Sequence, residues 1–150
     1  PALVGHGMTA LAKGPGPGTW SLAPAKKIFS AVGDVALVPE KWLDAVTGLS
    51  GSGPAYVYQM IEALTDGGVK VGLPKSLAAR LALQTVLGAA LTVKLTGKEP
   101  AELRSMVTSP GGTTIEGLNV LGKKGFNRAI KEAIAAAARK SKILSRQWAA

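Results

Sequence analysis

A mainly α-helical chain, opened by a short strand–helix–strand unit, is the architecture the sequence predicts. Two observations carry it. Short β-like apolar runs are confined to residues 1–40, and from Pro39 onward helical segments follow one another, each punctuated by proline at its start or glycine at its stop. In the opening part, "MTALAK" and "VALVP" read as strands. Between them "LAPAKKIFSAVG" sets Leu22, Ala25, Ile28, Phe29 and Val32 at helical spacing and stops at Gly33. Two strands do not make a stable sheet alone, so residues 1–40 read as the tail end of a larger α/β unit with exposed edges. The stretch "KGPGPGTW", Lys13 to Trp20, has no period and reads as a connector.

The helical part is predicted element by element. "PEKWLDAVTG" is a short helix starting at proline. "GPAYVYQMIEALTDGGVKVG" has Pro54 in its first turn and ends on glycine; "PKSLAARLALQTVLGAALTVKLTG" repeats the pattern with Pro74 and Gly97. "EPAELRSMV" and "TTIEGLNVLGKKG" follow, and "FNRAIKEAIAAAARKSKILSRQW" closes the chain as a long Ala-rich helix. Leu77, Leu81, Thr85, Gly88, Ala89 and Thr92 place small residues along one helix, which suits the close approach of another and suggests dimerisation through helices.

With 150 residues, 47% of them apolar, the chain can bury one core. It has no cysteine, which removes disulfides, thiolate zinc sites and a thiol nucleophile, and fits a cytoplasmic location. The first residue is Pro1, with no basic-then-apolar leader behind it, so the chain reads as processed or as a piece of something longer. Between Arg80 and Lys94 lie 13 residues that include Gln84, Thr85 and Thr92, short of the roughly 20 of a membrane span. A buried helix or subunit contact is expected there. The net charge is +9, concentrated toward the C-terminus, but aromatic residues make up only 5% and none interleave with the basic ones to stack bases. No nucleic acid and no membrane are expected as partners.

His6 is the one histidine, so a Ser-His-Asp relay or a multi-histidine metal site has nothing to be built from. Glu99 and Glu102 sit three apart on an expected first helical turn, where they meet the helix dipole favourably. Two glycine-rich elements remain, "GLSGSGPAY" from Gly48 to Tyr56 and "TSPGGTTIEG" from Thr108 to Gly117, each ahead of a helix. Helix N-termini expose unpaired N–H groups, so either could hold a carboxylate or phosphate. Ordinary capping by Ser52 or Thr113 is the alternative. Neither element matches a dinucleotide fingerprint or a P-loop.

Taken together, "DAVTGLSGSGPAY" and "VTSPGGTTIEGL", with "EALTDGGVKVGLP" between them and "PALVGHGMTAL" and "FSAVGDVALVPE" ahead, resemble pyrroline-5-carboxylate reductase, the last enzyme of proline biosynthesis. The resemblance implies a helical dimerisation and substrate-binding domain over residues 41–150, preceded by a short β-α-β remnant, residues 1–40, of a Rossmann-like dinucleotide-binding domain. It implies hydride transfer from NADPH or NADH to the C5=N bond of 1-pyrroline-5-carboxylate, giving L-proline, in a homodimer or higher homo-oligomer. The substrate carboxylate is then expected on the loop holding Ser109, Gly111, Gly112, Thr113 and Thr114, with Thr114 as the catalytic residue meeting the ring nitrogen. Glu40 corresponds to a position bordering substrate and nicotinamide. Met106 stands near the cofactor, where some family members carry a polar residue, and no metal is implied. A helical dimerisation module without activity of its own is the competing reading, because the main cofactor site is absent from this chain. A basic nucleic-acid binder rests on charge alone.

Overall fold

Among the described residues, nine α-helices and β-strands follow in the order the punctuation sets. The computed structural model describes residues 1–14 and 21–148, so most of the connector expected over Lys13 to Trp20 lies outside the described residues. Its elements are β1 (Gly7–Leu11), α1 (Ala23–Phe29), β2 (Gly33–Leu37), α2 (Leu43–Val46), α3 (Gly53–Lys70), α4 (Lys75–Thr96), α5 (Pro100–Met106), α6 (Thr113–Lys123) and α7 (Phe126–Trp148). Residues 1–55 together with 130–150 form one compact unit, and residues 56–129 form a second.

In the first unit, β1 and β2 pair in parallel from Gly7 opposite Gly33 to Leu11 opposite Leu37, so the strand–helix–strand reading holds. The paired glycines are a steric requirement. Gly33 has φ of 157°, and a Cβ built on it would collide with the Gly7 backbone. α1 carries Pro24 in its first turn, and the Ala23 N–H donates to Ser21 Oγ at 3.1 Å. Two strands remain all that this sheet has among the described residues.

After β2 the chain does not form the single short helix expected from "PEKWLDAVTG". A 3-10 turn at Glu40–Trp42 leads into the four residues of α2, and Thr47–Gly51 then widens into a π turn. The cause is local. Thr47 Oγ1 donates to Leu43 O at 2.9 Å, Ser50 Oγ donates to Val46 O at 3.2 Å, and the Ser52 N–H reaches back five residues to Thr47 O at 2.8 Å.

Across the second unit, α3 and α4 meet at small residues. A Cβ on Gly68 would stand 2.9 Å from Ala78 Cβ, so the glycine permits the approach, and Ala78 and Ala82 are 2% and 6% exposed. Thr65, also buried, donates its hydroxyl to Ile61 O at 2.8 Å. Gly97 closes α4 in the left-handed conformation, φ 64°, with its N–H on Val93 O. Two alanines are the buried apolar residues among those described. α4 is therefore not the buried helix the sequence suggested within this chain: Leu81, Leu83, Leu87, Leu91 and Leu95 are exposed, Leu95 by 79%. With 22 residues and an 18-residue window of mean hydropathy 1.4, α4 is long and apolar enough to cross a membrane by length and composition, a test that core helices of soluble proteins also pass. Its bounds are those read from Pro74 and Gly97, and the stretch between Arg80 and Lys94 supplies 13 of its residues.

Candidate functional site

Thr108 to Thr114 fold as one bonded turn that leads from α5 into α6. At the end of α5, Val107 N–H donates to Arg104 O at 3.3 Å and Thr108 N–H to Ser105 O at 3.2 Å. The Thr108 hydroxyl adds a 2.7 Å bond to Arg104 O. Ser109 O then accepts the Gly112 N–H at 3.0 Å, closing a four-residue turn with Pro110 and Gly111 at its centre. Gly111 has φ of 69°, and proline cannot take a positive φ, so the turn is type II, with glycine at its obligatory position.

This geometry decides part of the choice left open by the sequence. Gly112 is the residue before α6, with φ −78° and ψ 164°, and no side chain caps the helix. The expected cap by Thr113 is not formed. Because Gly112 N–H is used inside the turn, it is not available to a ligand either, which narrows the expected cradle. The first-turn amides of Thr113, Thr114 and Ile115 are the ones left facing outward without an i−4 carbonyl. Glu116 lies in that first turn as well. A Cβ on Gly112 would stand 2.5 Å from Ser109 Oγ, so the serine hydroxyl folds over the bare Cα beside these amides. Thr113, Thr114 and Ser109 are exposed, whereas Thr108 is half-buried.

The other glycine-rich element differs. The chain passes from the π turn into α3 through Ser52, whose φ of −87° and ψ of −19° are already helical. Ser52 N–H is bonded to Thr47 O, Pro54 has no N–H, and Ala55 N–H is bonded to Ser52 O at 3.1 Å. The row of open amides an anion needs is not formed there. Gly48 instead serves packing: a Cβ on it would meet Ile134 O at 2.6 Å and Ala138 N at 2.9 Å, so α7 lies against its backbone.

Of the remaining expected site residues, Glu40 opens the 3-10 turn after Pro39 and is exposed in the first unit, while residues 106–114 all belong to the second. Met106 ends α5, 66% exposed, with its Sδ 3.8 Å from Lys98 Nζ. Lys98 also pairs with Glu102, one of the two carboxylates read as dipole partners. His6 is an exposed loop residue whose backbone N–H is bonded to Pro1 O at 3.0 Å.

A cleft of about 390 Å³ in the first unit was not read from the sequence. Thr47, Ser52, Ala137, Lys140, Ser141, Leu144 and Ser145 line it. Beside it Asp44 Oδ1 accepts hydroxyl bonds from Ser141 at 2.7 Å and Ser145 at 3.2 Å. The two serines lie one helical turn apart on α7, a spacing visible in the sequence, but their partner is 97 and 101 residues away. The carboxylate oxygen is used up in fastening α7 to α2.

A parallel strand pair leading into a run of helices, one of which starts open behind a type II turn, defines a class: the helical region of a protein that joins an α/β part to an all-α part. The pyrroline-5-carboxylate reductase dimerisation family matches residues 40–144. Among similar proteins are a pyrroline-5-carboxylate reductase of Synechocystis, 58% identical over 98% of this chain and 55% of its own, and one of Arabidopsis thaliana, 51% identical over 97% and 52%. Among solved structures, a Plasmodium falciparum pyrroline carboxylate reductase with NADP bound superposes with a TM-score of 0.86 at 37% identity, covering 95% of this chain and 58% of that one. The chain belongs to the pyrroline-5-carboxylate reductase dimerisation family, and it spans about half the length of the curated relatives it matches.

Proposed function

We propose that this chain is the substrate-holding and dimerising portion of a pyrroline-5-carboxylate reductase, which reduces 1-pyrroline-5-carboxylate to L-proline. The observation that carries the reading is the uncapped start of α6 behind the Ser109–Gly112 turn, at the segment whose sequence resembles that family's substrate loop. The amides of Thr113 and Thr114 hold the substrate carboxylate, and the Thr114 hydroxyl meets the ring nitrogen, where a proton is needed as hydride reaches C5. A cyclic imine accepts hydride readily, so the chain's task is positioning and charge placement, and no nucleophile is required. Ser109, Gly111 and Gly112 shape the turn; by the sequence resemblance alone, Glu40 corresponds to a position bordering substrate and nicotinamide, and Met106 to one near the cofactor.

NADPH or NADH supplies the hydride in this reading, but the residues present do not fit a nicotinamide dinucleotide. The sequence carries no G-x-G-x-x-G fingerprint. That site belongs to a dinucleotide-binding part, of which residues 1–40 are the last piece and residues 41–150 the helical partner; the family match beginning at residue 40 supports this division. The exposed leucines of α4 support a homodimer or higher homo-oligomer, and a cytoplasmic location without nucleic acid or membrane partners goes with that reading. In a polypeptide joining this chain to a dinucleotide-binding part, Thr114→Ala is expected to weaken transition-state binding by about 1–3 kcal/mol. An unchanged Michaelis constant and turnover in a pyrroline-5-carboxylate reduction assay would remove Thr114 from the site.

A further inference from the structure

The turn at the start of α6 is only as well placed as its connection to α5. Six residues, 107–112, join the two helices, and the sole one of its hydroxyl groups bonded back into α5 is that of Thr108. Val107 beside it is exposed, while Thr108 is half-buried and makes two bonds at once: its N–H to Ser105 O and its Oγ1 to Arg104 O. Arg104 O also takes the Val107 N–H at 3.3 Å, so the Thr108 hydroxyl is its second and shorter bond, at the C-terminal end of α5 where carbonyls lack the i+4 amides of a continuing helix. The next residue, Ser109, supplies the carbonyl that closes the type II turn.

We infer that Thr108 is a positioning residue for the carboxylate cradle: by bonding the last turn of α5 it sets the direction in which Ser109 to Gly112 present the amides of Thr113 and Thr114. This rests on the function proposed above and adds a residue that touches no substrate. A cradle fixed before the ligand arrives loses less freedom on binding, so the benefit falls on affinity rather than on folding. The side chain must offer a hydroxyl to a carbonyl 2.7 Å away; valine keeps the shape without the donor, and serine keeps the donor without the methyl.

The test is L-proline titration of the chain, followed by isothermal calorimetry and by the amide resonances of Thr113 and Thr114. Thr108→Val is expected to raise the dissociation constant about fivefold or more. Thr108→Ser should return it to within about twofold of the parent, while Val107→Ala leaves it unchanged. Rescue by serine separates positioning from a general loss of packing. Thr114→Ala is measured alongside. If it weakens binding and Thr108→Val does not, the inference about Thr108 fails and the cradle stands; if neither matters, or L-proline does not bind the parent, the cradle reading fails with it.

Discussion

The segments Gly48–Pro54 and Ser109–Gly112 look alike as strings of letters: both mix serine, proline and glycine, and both lead into a helix. In the folded chain their glycines answer opposite needs. Gly48 is buried because α7 lies on it, with Ile134 O and Ala138 N where a side chain would start. Gly111 has open space around it and is required by its backbone, which turns through φ of 69°. One segment closes a unit, and the other leaves three helix amides facing outward. The lesson is that a glycine-rich stretch ahead of a helix is a binding loop only when the helix starts afresh. Where the backbone is already helical, as at Ser52, the amides are bonded before any ligand arrives.

The contrast breaks most sharply at Gly48. Gly48→Ala puts a methyl against backbone atoms of α7, which cannot swing aside like the end of a side chain, so a loss of about 2–3 kcal/mol in urea unfolding is expected. L-proline binding at the other segment should persist wherever the variant is folded. Stability equal to the parent would mean that α7 does not rest on this turn.

A smaller, different loss is expected at Gly111. No atom crowds it, so Gly111→Ala costs only the left-handed backbone, about 1–2 kcal/mol. Its signature is weaker L-proline binding together with modest destabilisation, because relieving the strain means abandoning the type II turn. Unaltered affinity would show that the turn's conformation does not set the cradle.

How much of this was legible follows from the range of each interaction. Helix starts and stops are local, so Pro74, Gly97 and Pro100 marked α4 and α5 correctly, and "MTAL" and "VAL" fell in the two strands. The turn at Pro110–Gly111 was legible as a special backbone position, whereas the use of Gly112 N–H inside it was not, since that depends on how Ser109 is held. The π turn rests on local hydroxyl and amide bonds that helical period does not reveal; the packing role of Gly48 could not be read, because it depends on α7, more than 80 residues further along the chain. Asp44 with Ser141 and Ser145 is hidden for the same reason. The exposed leucines of α4 were read as buried or as a subunit contact; the single chain shows that they are not buried within it.

Gly51 supplies the mildest test, and the most discriminating one inside the first segment. It shares the π turn with Gly48, three residues away, yet a Cβ there would meet only the Thr47 side chain at 3.7–3.9 Å, an ordinary contact. Its φ is not positive, so a side chain suffers no backbone strain. Alanine loses less conformational freedom on folding than glycine, so Gly51→Ala should leave stability within about 0.5 kcal/mol of the parent or raise it by up to about 1 kcal/mol. Measured beside Gly48→Ala, the pair separates steric need from mere sequence habit. A loss at Gly51 as large as that at Gly48 would mean that the whole π turn, and not one point of contact, carries the closure of α7.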